Sequence, residues 1–398
     1  MENFNSFGLN KEILKNLNNL KLTKPTPIQV QAIKPALMGK DILGSAHTGT
    51  GKTAAFGLPL IHKLMQNSSS CALILTPTRE LAVQVNKNLN DLMRNSGIIS
   101  ALIIGGESMG KQFKQLKRNP RLIIGTPGRV NDHLTRKSLN FSRTNYLVLD
   151  ETDRMLDMGF SIQIEKIIKF LPKVRQTLLF SATLPKNIKE ISQKYLHRPI
   201  TISVDKQSTI LTKIKHEVFN IEQVDKYGKL IEQINDRDGS IIIFVKTKHG
   251  SKRMSLKLVK QGFGANAIHG DLKQSQRELI LNKFRNKKYR ILVATDIAAR
   301  GLDISHIEHV INYDLPQKPE DYIHRIGRTA RAGLKGSALS FIIPNDKHLW
   351  NSIDKLINPN HKQEKEKNSN VKNIKQKRFN NFKKKNKGFR FKNKIKKK

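Results

Sequence analysis

Ala46-His-Thr-Gly-Thr-Gly-Lys-Thr53 is the stretch from which the fold can be read. It follows a short apolar run, Asp41-Ile-Leu43, and leads into a helical stretch. A strand, a glycine-rich loop and a helix in that order form the setting in which backbone amides turn inward around a phosphate. Gly49 and Gly51 permit the tight turns. Lys52 is placed to neutralise the outer phosphates, Thr53 to offer a hydroxyl to Mg²⁺, and Thr48 to complete the loop. Ala46 stands where the general pattern has its first glycine.

Working outward, short β-branched runs alternate with helical patterns: Ala72–Leu75, Leu122–Ile124, Tyr146–Leu149 and Thr177–Phe180. After about residue 210 the rhythm restarts with Ile241–Val245, Ile291–Ala294 and Val310–Tyr313. Continuous apolar strands separated by helices indicate parallel sheets covered on both faces. Two such series indicate two α/β domains, expected at 1–204 and 214–361 with a polar linker at 205–213. Asn10 reads as the N-cap of a first helix that places Ile13, Leu14, Leu17 and Leu20 on one face.

Composition narrows the function class. The 398 residues carry 73 Lys and Arg against 32 Asp and Glu, a formal net charge of +41, which points to a polyanionic partner, nucleic acid first. A single cysteine, Cys71, excludes an internal disulfide and a multi-cysteine zinc site, and its place at the head of an apolar run reads as packing. No secretory signal is visible at the start and no apolar run approaches a bilayer span, so a cytoplasmic protein is expected. Residues 362–398 hold 17 basic residues and two acids, and are expected to be a disordered tail. Phe379, Phe382, Phe389 and Phe391 lie among those charges, a mixture suited to single-stranded RNA.

About a hundred residues after the loop, Asp150-Glu-Thr-Asp153 directly follows the strand Tyr146–Leu149. Carboxylates at the C-terminal end of a parallel strand lie beside a phosphate loop. Asp150, with Glu151 and Thr53, is the candidate Mg²⁺ set, partly through water. Glu151 is placed to orient and deprotonate an attacking water.

With these residues in place, the chain resembles the DEAD-box RNA helicases over roughly 4–345. The resemblance implies two tandem RecA-like domains and RNA-stimulated ATP hydrolysis coupled to local opening of RNA duplexes. Pro25-Thr-Pro-Ile-Gln29 is similar to the family's adenine-reading segment, with Phe4, or Phe7 nearby, as the stacking aromatic. His324-Arg-Ile-Gly-Arg-Thr-Ala-Arg-Ala-Gly333 resembles its arginine-finger segment, which implies that Arg328 and Arg331 reach the γ-phosphate. Asp303 resembles the ribose contact. Asp153, Ser181 and Thr183 resemble the coupling between nucleotide and RNA, with His324 and Arg325 tying the domains together. RNA contacts are implied for Thr78, Arg79, Gly105, Gly106, Thr126 and Arg129 in the first domain, and for Gln274, Arg277, Thr295 and Arg300 in the second. Such groups grip phosphate and sugar without reading bases.

Departures are small: His47 where the family often has Gln, Thr152 where it has Ala, and Ala330 where it has Gly. The compact core and Lys/Asn-rich tail are similar to the bacterial RhlE-like subgroup, and a monomer acting on ribosomal RNA is the expectation. A DNA translocase fits the adenine segment and Ser181-Ala-Thr183 less well, and a GTPase would give the second domain's arginines no role.

Overall fold

The computed structural model describes residues 3–46, 49–204, 214–299, 304, 306–330 and 336–358. Thr48, Arg300, Asp303, Arg331, the linker at 205–213 and the tail at 362–398 lie outside the described residues. Two sheets organise the rest. The first contains β1 (Ile42–Ser45), β2 (Cys71–Leu75), β3 (Ser100–Ile103), β4 (Leu122–Gly125), β5 (Thr144–Leu149), β6 (Gln176–Ser181) and β7 (Ile200–Ser203). The second contains β8 (Ile214–Asn220), β9 (Ser240–Phe244), β10 (Ala265–Ile268), β11 (Ile291–Ala294), β12 (Ile307–Asn312) and β13 (Gly336–Ile342).

The strand orders are β3-β4-β2-β5-β6-β1-β7 and β10-β11-β9-β12-β13-β8. Apart from the extra edge strand β7, the second sheet repeats the wiring of the first, and β8 occupies the place of β1. The pairings are parallel throughout. Parallel strands need crossover helices, which cover both faces. In the first domain these are α1 (Lys11–Asn19), α2 (Pro27–Leu37), α3 (Lys52–Gln66), α4 (Arg79–Leu92), α5 (Met109–Leu116), α6 (Pro127–Thr135), α7 (Thr152–Asp157), α8 (Ser161–Lys169) and α9 (Lys186–Tyr195). The second domain contributes α10 (Lys226–Asn235), α11 (Lys248–Lys260), α12 (Gln274–Arg285), α13 (Asp296–Ala299), α14 (Pro319–Ile326) and α15 (Lys347–Ile357).

Side-chain alternation explains why the apolar runs are continuous. On β2, Ala72 and Ile74 pack into one core while Leu73 and Leu75 pack into the other. On β9, Ile241 and Ile243 face one core and Ile242 and Phe244 the opposite one. Each such fully buried aliphatic contributes about 1.5–3 kcal/mol. Cys71, expected to be buried, is only half-buried because it opens β2 at the rim.

Helix α1 begins where the sequence indicates. The Asn10 side chain accepts a hydrogen bond from the Glu12 amide at 2.9 Å, and Ile13 and Leu17 are buried. Leu20 departs from that face, because it follows the last helical residue and stays 39% exposed. Among the described residues no helix is long and apolar enough to cross a membrane.

Candidate functional site

At the C-terminal edge of the first sheet, β1 runs into the glycine loop and α3. Gly49 (φ 85°) and Gly51 (φ 92°) both take left-handed backbone, and Gly51 caps α3. Any side chain at Gly51 would drive into the Gln29 amide. That amide holds the loop: Oε1 accepts from the Thr26 amide at 2.9 Å and Nε2 donates to the Gly51 carbonyl at 3.0 Å. Lys52 is only 6% exposed, yet its Nζ has no hydrogen-bond partner. A buried ammonium without a hydrogen-bond acceptor is costly, and the cleft it borders supplies room for one.

The cleft has a volume of about 380 Å³, and its lining includes Gly49, Gly51, Lys52, Thr53, Asp150 and Glu151. Asp150, at the end of β5, is 2% exposed and accepts from the Glu151 amide at 3.0 Å. Burial pushes its carboxyl up to about 6, with Lys52 opposing and the Glu151 and Asp153 charges adding to the rise. Glu151 sits in the left-handed region at φ 50° and is 4% exposed. Strained backbone of this sort concentrates at functional sites. Two carboxylates and a hydroxyl in one cleft are hard oxygen donors that fit Mg²⁺ accompanying a phosphate ligand.

Phe4 is not at this cleft, contrary to expectation. It packs edge-on against Phe7, ring centroids 6.1 Å apart, and both rings are buried in the core. The turn carrying them is closed by Asn3, which accepts from the Ser6 amide, so the aromatics anchor the N-terminal turn. The apolar wall beside Gln29 is instead Leu20 and Leu22, 39% and 44% exposed. Sequence reasoning assigned Leu20 to a helix face and missed Leu22; their position just before Pro25 was the available signal.

The coupling residues are only partly arranged as expected. Asp153 Oδ2 accepts from the Ala182 amide at 3.1 Å and from Thr183 Oγ1 at 3.5 Å. Ser181 does not reach Asp153; its hydroxyl donates to the Thr183 carbonyl at 2.6 Å and shapes the turn. Thr152, fully buried, donates to the Leu149 and Phe180 carbonyls, 3.2 Å each, joining the ends of β5 and β6. His324 lines a cavity of about 530 Å³ between the domains together with Asp153 and Thr183.

Arg325 overturns its expected role as a tie between domains. Its guanidinium forks onto Asp296 at 2.6 and 2.8 Å, donates to Asn312 and the Asp314 carbonyl, and lies over the Phe244 ring. Every one of these partners belongs to its own domain, because burial of a guanidinium requires a full set of local acceptors. The contact that does cross is Arg154 Nη1 to Asp321 Oδ1 at 2.7 Å. Arg328 is 4% exposed, donates from Nε to the His324 carbonyl, and borders a seam between the domains.

On another face of the seam, Thr78, Arg79, Gly105, Thr126 and Arg129 of the first domain line a cavity of about 300 Å³ with Gly270 and Arg277 of the second. The Thr78 side chain caps α4 by accepting from the Leu81 amide. Arg79 lies across Gly105 and Gly106, so closely that a side chain at Gly106 (φ 77°) would strike its guanidinium. Arg129 donates to the Glu107 carbonyl at 3.1 Å.

Two expected RNA contacts of the second domain are otherwise engaged. Arg277 is 4% exposed and committed to Glu80 across the seam at 2.5 Å and to the His269 and Ala298 carbonyls. Gln274 is 2% exposed at the start of α12, donates to Glu278, and is not part of the cavity wall. Thr295, half-buried at the end of β11, is likewise outside that wall. Sequence reasoning missed Glu80, Arg154 and Asp321. Each looks like an ordinary charge near a helix start, and pairing over more than 160 residues leaves no local signal.

Comparison with known proteins fits this geometry. Residues 26–191 match the family model described as DEAD/DEAH box helicase, and residues 225–333 match the helicase conserved C-terminal domain. The ATP-dependent RNA helicase CshA of Listeria monocytogenes is 44% identical over 348 residues, 87% of this chain and 67% of that protein. The CshA of Bacillus subtilis is 41% identical over 353 residues, 88% and 72%. These relatives carry the CshA name and not an RhlE-like one.

Among solved structures, yeast Dbp5 bound to RNA and ADP BeF3 superposes with a TM-score of 0.82 at 33% identity, covering 90% of this chain and 94% of that one. A variant of Dbp5 bound to Nup159, Gle1, IP6 and ADP gives 0.60 at 34% identity, covering 88% and 93%. At similar identity and coverage, the chain superposes better on the RNA-bound Dbp5. With a loop, carboxylates and inter-domain seam of this geometry and relatives of this identity, the chain belongs to the DEAD-box family of ATP-dependent RNA helicases.

Proposed function

We propose that this enzyme opens short RNA duplexes locally and non-processively, with the cleft around Lys52 as its ATP site and the cavity lined by Arg79 and Arg129 as its RNA track. The observation that carries this reading is the orphaned Lys52 Nζ, buried beside a cleft whose lining also includes Asp150 and Glu151. Phosphate oxygens complete that environment.

ATP binding places the outer phosphates against Lys52 and the loop amides. Gln29 retains one amide N–H and one oxygen lone pair beyond its two bonds, enough to read an adenine edge. Thr53, Asp150 and Glu151 would hold Mg²⁺, partly through water, which would offset charge on the phosphate oxygens. Glu151 orients the attacking water and takes its proton. Arg328, with Arg331, supplies positive charge to the γ-phosphate as the transition state forms. Asp303 holds the ribose. Asp153, through Ala182 and Thr183, transmits the state of the phosphates towards the seam.

On the RNA side, Thr78, Arg79, Gly105, Gly106, Thr126 and Arg129 grip phosphate and sugar, with Thr295 and Arg300 joining from the second domain. Closure bends one strand away from duplex geometry, so a few base pairs open; phosphate loss then releases the strand. The division into domains at 1–204 and 214–361, a linker at 205–213 and an RNA-binding tail at 362–398 belongs to the same reading. So do a monomeric state, a cytoplasmic location and ribosomal RNA as substrate.

Steady-state ATP hydrolysis with RNA, with an equal mass of DNA, and with neither tests it. Wild-type turnover should rise strongly with RNA alone and nearly vanish in Glu151→Gln, while RNA binding survives. Equal stimulation by DNA, or normal turnover in the variant, would sink the assignment.

A further inference from the structure

Three ion pairs among the described residues cross between the domains: Glu80–Arg277, Arg154–Asp321 and Asp157–Lys318. The last is exposed at 32% and 54%, and a pair of that kind contributes little. The other two are buried, with side chains 5% and 8% exposed for Arg277 and Glu80, and 4% and 12% for Arg154 and Asp321. They lie at different faces of the seam. Glu80 and Arg277 both line the cavity read as the RNA track, and Arg154 and Asp321 both line the cavity shared with Asp153, Thr183 and His324.

We infer that these two buried pairs are closing contacts: they form only when the domains come together, and they position the second domain's arginines against the first domain's carboxylates. The inference rests on the reading that ATP and RNA close the seam. None of the four residues touches a reacting atom, so they are positioning residues.

The path from pair to chemistry is short. Arg154 directly follows Asp153, and its amide donates to Asp153 Oδ1 at 3.0 Å, while Oδ2 takes Ala182 and Thr183. On α14, Asp321 and Arg325 lie one turn apart on one face, and Arg328 follows two residues after the helix ends. Docking Asp321 on Arg154 therefore fixes both the rotation and the height of the helix that leads to Arg328. Arg154, Asp321, His324 and Arg328 all border the same narrow seam. Arg154 makes the contact through Nη1, and its Nη2 has no hydrogen-bond partner.

A buried ion pair is a poor source of stability, because desolvation offsets most of the attraction, but leaving one charge alone in the seam is strongly penalised. That asymmetry suits a contact that must discriminate. Domains that meet out of register would bury an uncompensated charge, and domains that stay apart leave both charges hydrated. At the RNA end, Arg277 is held by the His269 and Ala298 carbonyls before Glu80 arrives, so that half is preset.

The experiment uses the full chain with a donor dye on one domain and an acceptor on the other, a single-stranded oligouridylate, ATP and Mg²⁺. Variants are Arg154→Gln, Asp321→Asn and the exchange Arg154→Asp with Asp321→Arg, then Glu80→Gln. The single variants should melt like the wild type without ligands. The closed fraction should fall, and the RNA concentration for half-maximal turnover should rise about 100-fold, the scale set by an uncompensated buried charge. The exchange should recover most of the loss.

Several results would overturn the inference: single variants that close like the wild type; variants that close fully but turn over slowly; or lowered melting without ligands, which marks a contact of the fold itself. An exchange that melts normally yet recovers nothing would also overturn it. A wild type that turns over ATP but never closes would instead remove the closure reading on which the inference stands.

Discussion

Lys52 concentrates the chemistry of the molecule in one side chain: a cation almost fully buried, with no acceptor of its own. Its charge destabilises the unliganded protein and is offset by the ligand. Lys52→Met should therefore raise the unliganded unfolding free energy by about 1–3 kcal/mol while abolishing ATP binding. Calorimetric melting beside an ATP titration checks this, and an unchanged midpoint would mean that water at the cleft mouth already solvates Nζ. Ala330 carries a second residue-scale cost. Its φ of 54° is left-handed, where an L side chain is strained and glycine is not. Ala330→Gly should stabilise the protein by about 0.5–1 kcal/mol, the relief of strain less the extra entropy of an unfolded glycine. A melting curve decides it. This conformation was legible beforehand, since Ala330 departs from a glycine in an otherwise matching segment. That Lys52, Thr53, Asp150 and Glu151 share one cleft was equally legible, because loop and strand-end geometry is local. Phe4 was misread because an aromatic's spacing does not say whether it faces a cleft or a core.

At the scale of elements, the stability of α14 is tied to its own domain. Arg325 anchors it to Asp296 on α13, to Asn312 at the end of β12 and to the Asp314 carbonyl beyond it. Removing one member of so buried a network costs about 3–5 kcal/mol. Arg325→Ala should lower the melting temperature of the unliganded protein, with or without nucleotide present. A variant that melts normally and fails only in closure would restore the inter-domain role that the geometry denies. The repeated strand order has a related lesson. The segment after β8, Ile221-Glu-Gln-Val-Asp225, stands where the first domain has its glycine loop, and it contains no glycine. The second sheet thus keeps the scaffold without a glycine loop. Eight strands were readable, most to within a residue or two, since buried parallel strands are continuous apolar runs, whereas β3, β7, β8, β10 and β13 were not singled out. Helix ends such as that before Leu20 were not, because a helix stops where tertiary contacts let it.

Over the whole molecule, the net charge of +41 implies affinity for polyanions that is graded by salt. The tail at 362–398 holds 17 of the basic residues. For single strands, the logarithm of affinity falls against the logarithm of salt with a slope of roughly −0.7 per neutralised phosphate. Deleting the tail should make that slope shallower in an oligouridylate binding series. An unchanged slope would place all the phosphate contacts in the two domains.

The sequence by itself determined the two parallel-sheet domains, the glycine loop with the carboxylates that share its cleft, and the family to which they are similar. These depend on residue type at short, fixed spacing, where backbone geometry leaves few choices. Only the tertiary structure decided which charges meet across the seam. It turned Arg325 inward, committed Arg277 to Glu80 within the cavity beside Arg79, and joined Arg154 to Asp321. Such pairs are fixed by the packing of two separately folded sheets, and a buried charge takes whichever counter-charge that packing brings within reach.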